Sequence, residues 1–345
     1  MKGRGDTRPV LAITGGDPNG IGPEICLKAL LSRAVRTACR PVLVGHPAVF
    51  EYYRRRFRLP ISLNETAPDT VPRGDGGIPV IAVKPAGAFR PTPGRAGKSA
   101  GLIAGRSVET AVTLCRRGVV DGMVTGPLAK DTLNEAGFRF QGQTEMISKL
   151  SKSGPPLMIM MNDDIRVALV TIHIPLRRVS TLLSVGAVSR AVRILHASLR
   201  RDFRISRPAI AVLGLNPHAG EGGLTGTEER AVIGPALRSL DRAGIRASGP
   251  FPADGFFAGR SRESFDGIVA MYHDQGLIPL KMSGIATVVN FTAGLEVVRT
   301  SPGHGTAFDI AGRGIADPSS MIAAVLSAVR VIRNRRRPAP ERIRR

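Results

Sequence analysis

Three histidines in this 345-residue chain share a context that favours metal chemistry. His173 follows the apolar run VALVTI, His218 follows AVLGLNP, and His273 follows IVAMY. Each run is typical of a buried strand, and loops at the carboxyl ends of parallel strands gather at one edge of a sheet. We therefore expect these imidazoles to be neighbours in space. Three imidazole ligands with an open position make a catalytic divalent-metal site.

The alternative for each histidine alone is an ordinary turn residue after a strand. The surroundings of two of them favour ligation. His218 stands in NPHAGEGG, whose glycines let the backbone approach a ligand closely. Asp274 follows His273 directly and would act in acid–base chemistry or as a support for the imidazole. His46 and His196 lack this context and are predicted to be surface or packing residues.

Basic and glycine-rich segments predict binding of an anion. The turn TGGDPNGIGPE at 14–24 can present backbone N–H groups, although it does not match the GxGxxG fingerprint. Lys130 follows a predicted strand and would meet an anionic substrate or take part in proton transfer. Three further side chains could together grip a phosphate or carboxylate, namely Lys281, Asn290 and Arg299.

Alternating apolar runs and amphipathic stretches predict an α/β fold with a mostly parallel sheet. The predicted strands are 9–14, 41–45, 79–83, 121–125, 166–172, 209–215, 267–272 and 286–291. The predicted helices are 22–34, 101–117, 186–201, 228–243 and 318–332. The polar stretch 63–77 is predicted to be a loop. The chain length suggests one unit of two lobes, with a boundary near 130–150.

The net charge of +22 raises the question of nucleic acid, a membrane surface or an acidic substrate. Aromatic residues make up 4% of the chain and tryptophan is absent, which disfavours a single-strand binder. The Arg-rich segment 333–345 is predicted to be a disordered tail. Three scattered cysteines, no secretory leader and no long apolar run predict a cytoplasmic protein without a membrane span.

Taken together, these motifs resemble the 4-hydroxythreonine-4-phosphate dehydrogenase family, PdxA, of pyridoxal phosphate biosynthesis. The resemblance runs from about residue 9 to about 328, and its most specific blocks are GDPNGIGPE, VTGPLAK, GQTE, NPHAGEGG, YHDQG and HGTAFDIAGRGIADP. The last block is also similar to the adenosine-binding loop of isopropylmalate and isocitrate dehydrogenases. The resemblance implies a two-lobed α/β/α fold like theirs, with a cleft between the lobes.

Carried over to this chain, the resemblance implies that His173, His218 and His273 hold a divalent metal, zinc, magnesium or cobalt, across a homodimer interface. It implies substrate contacts from a second group, consisting of Thr144, Lys281, Asn290 and Arg299, with Gln143 beside them. It implies that NAD, or NADP, binds at a third group, consisting of His304, Gly305, Thr306 and Asp309. Lys130 and Asp274 are the candidate catalytic residues.

Two positions depart from the family pattern. Many members have a substrate-binding histidine in GHTE, where this chain has Gln143 in GQTE. Glutamine can donate a hydrogen bond to a phosphate but cannot become cationic. Gly303 also stands where acidic residues are common before the HGT block. The first departure bears on which substrate is used.

The resemblance implies oxidation and decarboxylation of 4-phosphooxy-L-threonine to 3-amino-2-oxopropyl phosphate. An alternative substrate is 4-phospho-D-threonate, which a related dehydrogenase oxidises; other relatives oxidise cyclic dihydrodiols. From other classes, a three-histidine metal could activate water in a hydrolase, and the positive charge could mark a nucleic-acid binder.

Overall fold

A computed structural model describes residues 6–68, 76–85, 89–140 and 142–337 of the chain. Within them the chain folds into two compact units. The first contains residues 1–156 and 295–333, and the second contains residues 157–294 and 334–345. The division lies beyond the region 130–150 indicated by the sequence, and the return of the chain to the first unit at Leu295 had no sequence signal.

The first unit is built on six parallel strands in the order β3-β4-β2-β1-β5-β12. The strands are β1 (Val10–Thr14), β2 (Arg40–Gly45), β3 (Leu63–Thr66), β4 (Ile78–Ala82), β5 (Gly122–Thr125) and β12 (Arg299–Pro302). The helices are α1 (Gly22–Leu31), α2 (Arg33–Ala38), α3 (Pro47–Arg56), α4 (Lys98–Arg116), α5 (Lys130–Glu135), α6 (Gln143–Leu150) and α12 (Ser319–Arg336), the last of which continues into the second unit.

The second unit has the strand order β11-β6-β7-β10-β8-β9, in which β6 is antiparallel to both neighbours and the other pairs are parallel. The strands are β6 (Leu157–Met161), β7 (Arg166–Leu169), β8 (Ile210–Leu213), β9 (Ala247–Phe251), β10 (Gly267–Ala270) and β11 (Val289–Ala293). The helices are α7 (Val179–Leu182), α8 (Val185–Arg201), α9 (Gly234–Arg242), α10 (Ala253–Ala258) and α11 (His273–Met282).

Short apolar runs and helical periodicity explain most of these elements. Strands such as β1 and β8 are buried along almost their whole length, as expected where helices cover both faces of a parallel sheet. The helix α8 buries residues at helical spacing and exposes the opposite face. Those buried residues are Val188, Ala191, Val192, Leu195 and Leu199. The predicted α/β class with a mostly parallel sheet is confirmed.

Several local predictions were wrong. The stretch 63–77 begins with the strand β3, although residues 69–75 lie outside the described part of the chain. The predicted helix 22–34 is interrupted at Ser32, whose backbone is extended. The strands β6, β9 and β12 were missed. Of these, β12 (RTSP) is polar in sequence and is buried only by its tertiary surroundings.

The prediction of a disordered tail at 333–345 was wrong for its first residues. Helix α12 continues to Arg336, and the Arg335 Nε donates to the buried carboxylate of Asp202 at 2.7 Å. An ion pair with a fully buried partner therefore stabilises this end of the helix. Residues 338–345 lie outside the described residues.

No single helix of the described ranges is long and apolar enough to cross a membrane. One pair, Leu176–Leu182 with Val185–Arg201, has the length and composition of a span when the two helices are taken together, but it is bent by 92°.

Helix α4 packs against α5 at Gly101, where there is no room for a side chain. A Cβ at Gly101 would lie 2.0 Å from the Thr132 carbonyl oxygen, so Gly101→Ala must push two backbones apart. We expect this change to lower the free energy of unfolding by about 1–3 kcal/mol in denaturant titration. The control Gly186→Ala, where the nearest atom is the Ser184 Oγ at 4.0 Å, should be neutral or slightly stabilising. Equal effects of the two changes would contradict the prediction.

Candidate functional site

In the second unit, two predicted ligands lie side by side because the pairing of β7 with β10 continues past the strand ends. The Thr171 N and Oγ1 both donate to the Met271 carbonyl oxygen, at 3.2 and 2.7 Å. The two segments therefore run together as far as His173 and His273, whose ring centroids are 5.6 Å apart and inclined by 40°. Both rings line one cavity of about 310 Å³.

The local backbone and a carboxylate orient these imidazoles. His173 adopts a left-handed conformation with φ of 40°, which is uncommon for a residue with a side chain. The His273 Nδ1 lies 2.7 Å from Asp274 Oδ1. When Nδ1 donates to this carboxylate, the lone pair of the imidazole is on Nε2, the arrangement seen in metal-bound histidines. The pair thus fits a divalent metal chemically.

The third histidine is presented by a different loop. Residues 218–222 all have positive φ values. Gly220 of this left-handed run lies against the carboxylate of Glu229. The Glu229 Oε1 accepts from the backbone N of Leu215 at 2.7 Å and of Asn216 at 2.8 Å. A Cβ at Gly220 would lie 2.6 Å from Glu229 Oε2, so glycine is required there.

The side chain of His218 is exposed, and its Nδ1 lies 3.6 Å from Glu221 Oε2. Within the described ranges, no three histidine, cysteine, aspartate or glutamate side chains form a group suited to one metal ion. The structure therefore brings His173 and His273 together and does not add His218 to them within one chain.

In the first unit, the buried Arg299 bonds to two threonines, the predicted Thr144 and the unpredicted Thr125. Arg299 has no exposed surface, and burial lowers the pKa of its guanidinium to about 9. Its Nε and Nη2 donate to Thr125 Oγ1 at 3.1 and 2.9 Å, and its Nη1 lies 3.5 Å from Thr144 Oγ1. The guanidinium is thus held at the carboxyl end of β5, beside the start of α6.

Two predicted substrate-binding amides have buried oxygens without a hydrogen-bond partner, Gln143 Oε1 and Asn290 Oδ1. A buried polar atom left in this state costs free energy, which a ligand group can recover. Rotation of an amide exchanges its donor and its acceptor, so each position can serve either kind of ligand atom.

The two lysines occupy open positions. Lys130 is the first residue of α5 and is exposed, and its Cε would lie 3.7 Å from a Cβ at Gly142. Its side chain therefore passes close to the segment that holds Gln143 and Thr144. Lys281 is exposed in the last turn of α11.

The HGTAFDIAGRGIADP block, which contains the predicted cofactor residues, is hydrogen-bonded to α1. Lys28 Nζ donates to the carbonyl oxygens of Gly314 and Ala316, both at 2.8 Å, and the buried Glu24 Oε1 accepts from the Ala316 N at 3.0 Å. Within the segment, His304, Gly305, Thr306 and Asp309 are half-buried or exposed. The Thr306 carbonyl oxygen accepts from the Ile21 N at 2.9 Å.

The glycines of the turn 14–24 serve backbone packing. A Cβ at Gly16 would lie 2.1 Å from the Pro127 carbonyl oxygen, and Asp17 N donates to the same oxygen at 2.8 Å. The proposed anion-binding role of this turn stays a prediction.

Sequence reasoning missed the residues that support the site. Thr125 lies in the VTGPLAK block but was not named as a site residue, although a polar residue at the end of a buried strand was an available signal. Glu229 lies in none of the blocks. Glu229 lies well beyond the NPHAGEGG block, and only the folded loop shows that it fills the interior.

Comparison with known proteins shows the family to which this chain belongs. The model of the family described as pyridoxal phosphate biosynthetic protein PdxA matches residues 37–328. This chain belongs to the PdxA family. A 4-hydroxythreonine-4-phosphate dehydrogenase of Bacteroides thetaiotaomicron is 41% identical over 343 residues, covering 96% of this chain and 91% of the relative.

Solved structures that resemble this PdxA chain include two dehydrogenases. A 4-hydroxythreonine-4-phosphate dehydrogenase from Klebsiella pneumoniae superposes with a TM-score of 0.82 and 36% identity, covering 94% of this chain and 99% of the other. A terephthalate 1,2-cis-dihydrodiol dehydrogenase from Burkholderia xenovorans gives a TM-score of 0.62 and 31% identity, covering 93% and 98%.

The carboxylate of Glu229 yields a prediction about the loop that carries His218. Glu229→Gln replaces an acceptor of backbone N–H groups with an amide, and we expect a loss of about 1–3 kcal/mol in the free energy of unfolding near pH 7. The neighbouring Glu228, which accepts from Asn216 Nδ2 at 2.8 Å and is half-buried, provides the control Glu228→Gln, with a smaller loss.

The pH dependence tests the same contact. Burial raises the pKa of Glu229, but hydrogen bonds from Asn216 and Leu215 outweigh it and leave the pKa lowered. The stabilisation is complete above the unfolded value of about 4.3 and is lost as the pH falls through the lower folded value. The difference between wild type and Glu229→Gln should therefore shrink in acid, and a difference that is constant with pH would refute the assignment.

Proposed function

We propose that this PdxA chain is a cytoplasmic dehydrogenase that oxidises 4-phosphooxy-L-threonine with NAD and a divalent metal, followed by decarboxylation to 3-amino-2-oxopropyl phosphate. The observation that carries the proposal is the neighbouring pair His173 and His273, oriented by Asp274, in a chain of this family. Membership of a family whose relatives are named dehydrogenases favours this reaction over the metal-dependent hydrolase alternative.

In this proposal, His173 and His273 hold the metal together with His218 of a second copy of the chain. A bound divalent metal polarises the substrate hydroxyl and lowers its pKa, which eases hydride departure to the nicotinamide. Asp274 holds the His273 ring in the tautomer that leaves Nε2 available. Lys130, in its neutral amine form, would accept the proton from the substrate hydroxyl. The β-keto acid formed by oxidation then loses carbon dioxide, and the enolate that remains takes up a proton.

The anionic end of the substrate is bound by Arg299, which Thr125 and Thr144 orient, together with Gln143. Lys281 and Asn290 are further proposed substrate contacts. A guanidinium that is buried and held by hydrogen bonds before the substrate binds loses little freedom on binding, so it fixes the orientation of a phosphate at small entropic cost. The cofactor is proposed to bind at residues 304–309.

A subunit-mixing experiment tests the metal site. His173→Ala, His218→Ala and His273→Ala should each lower metal content and activity together, because an incomplete ligand set binds metal weakly. Mixing His218→Ala with His273→Ala subunits should restore part of the activity, since one of the two shared sites is then intact. Mixing His173→Ala with His273→Ala should restore none, because each chain contributes these two as a pair.

The mixing experiment can fail in two ways. Recovery in both mixtures would contradict the assignment of His173 and His273 to the same chain. A monomeric mass with undiminished turnover would contradict the homodimer.

The substrate assignment is tested through Arg299. We expect Arg299→Ala to lower kcat/KM by roughly 2–5 kcal/mol of transition-state stabilisation, because a buried anion partner is lost. The control Arg106→Ala removes an exposed arginine paired with Glu109 and should leave kcat/KM unchanged.

The deciding assay compares kcat/KM for 4-phosphooxy-L-threonine, 4-phospho-D-threonate and a dihydrodiol dicarboxylate at equal metal and NAD concentrations. Gln143, a neutral amide in place of a histidine, makes 4-phospho-D-threonate the second candidate. Preference for an unphosphorylated substrate would overturn the phosphate assignment but not the metal site.

A further inference from the structure

The second unit contains two adjoining cavities that are rich in arginine and share no lining residue with the cavity of His173 and His273. Their volumes are about 700 and 530 Å³, and they meet at His196 and Arg200, which line both. We call them together the basic trough. Its arginines are Arg193, Arg200, Arg201, Arg204, Arg207, Arg246, Arg335 and Arg337.

The amphipathic pattern of α8 supplies one wall of the trough. Its apolar face packs on the sheet, so its other face is left for polar side chains. Arg193, His196 and Arg200 follow one another at spacings of three and four, which aligns them along that face. Both arginines are exposed.

One buried carboxylate holds several residues of the trough in place. Asp202 has no exposed surface, and its carboxylate accepts from Ser198 Oγ at 2.7 Å, Arg201 Nε at 2.9 Å and Arg335 Nε at 2.7 Å. Its backbone carbonyl accepts from Asn334 Nδ2 at 2.8 Å. These bonds fix the residues after α8 against the end of α12, so the arrangement of cations is built into the fold.

The trough has a strong excess of positive charge. No aspartate or glutamate is among the residues that line either cavity in the described part of the chain. Partial burial and the charge of Arg200 lower the pKa of His196. Burial also lowers the pKa of Arg335, which Asp202 opposes and Arg201 reinforces. Asp202 pairs with two of the eight arginines, Arg201 and Arg335, so the lining keeps an excess of positive charge that would stabilise a bound anion.

The shape and side chains of the trough indicate the class of ligand. Concave basic surfaces attract multiply charged anions, and arginine matches phosphate oxygens with two parallel hydrogen bonds. The linings contain no phenylalanine, tyrosine or tryptophan, so the stacking platforms of a single-strand binder are missing from them. We propose that the basic trough binds a small anion with two or more phosphate groups, recognised by charge and not through a base.

The experiment is calorimetric titration of the full-length protein with inorganic tripolyphosphate at about 150 mM salt, where weak surface attraction is largely screened. We expect saturable binding that the double variant Arg193→Glu/Arg200→Glu weakens at least tenfold. Should that variant fold poorly by circular dichroism, Arg193→Gln/Arg200→Gln should show a smaller loss in the same direction. Any heat from chelation of a bound metal by tripolyphosphate is the same for all variants and cancels in the comparison.

Two controls make the result specific. Arg33→Glu/Arg116→Glu makes the same charge change at exposed arginines of the first unit and should leave the affinity nearly unchanged. Arg299→Ala should also retain binding, because the trough does not involve the proposed substrate site. The proposal is overturned by an absence of saturable binding, by equal losses in the two double variants, or by loss of binding in Arg299→Ala. Tighter binding of a single-stranded oligonucleotide that depends on Arg193 and Arg200 would also overturn it, in favour of a nucleic-acid surface.

Discussion

Because parallel strands end at the same edge of a sheet, the side chains that follow them are brought together whatever their separation in sequence. In the second unit this constraint acts through β7 and β10, whose pairing continues to Thr171 and Met271 and places His173 beside His273. In the first unit the parallel register of β12 with β5 pairs Arg299, the first residue of its strand, with Met123, and the Arg299 guanidinium donates to Thr125 at the end of β5. The candidate site is in this sense a product of strand register.

The polar groups of the site are arranged at a cost to stability. A buried guanidinium whose pKa falls to about 9 and two buried amide oxygens without partners are unfavourable in the folded protein alone. Such costs are reasonable where a ligand completes the hydrogen bonds, because the donors and acceptors are then already in place when it binds. A core made of apolar residues at the same positions would be more stable but could not hold an anion.

The left-handed loop before Glu229 is another place where an unfavourable conformation is stabilised by a specific contact. Six successive residues, 218–223, have positive φ, which is unfavourable for all but glycine, and His218 is one of them. The carboxylate of Glu229 stabilises the loop by accepting two backbone N–H groups. The position of His218 therefore depends on a buried acid that lies outside the NPHAGEGG block.

The sequence by itself determined the α/β class, the strands with continuous apolar runs, the amphipathic helix α8 and the three histidines that follow strands. These features depend on local periodicity, which a single segment contains. Only the tertiary structure decided that the polar segment of Arg299 is a buried strand, that His173 pairs with His273 while His218 lies apart, and that Arg335 is bound to Asp202. Each of these depends on contacts between residues that are distant in sequence, and the free energy of burying a charge is settled by the partners that the fold supplies.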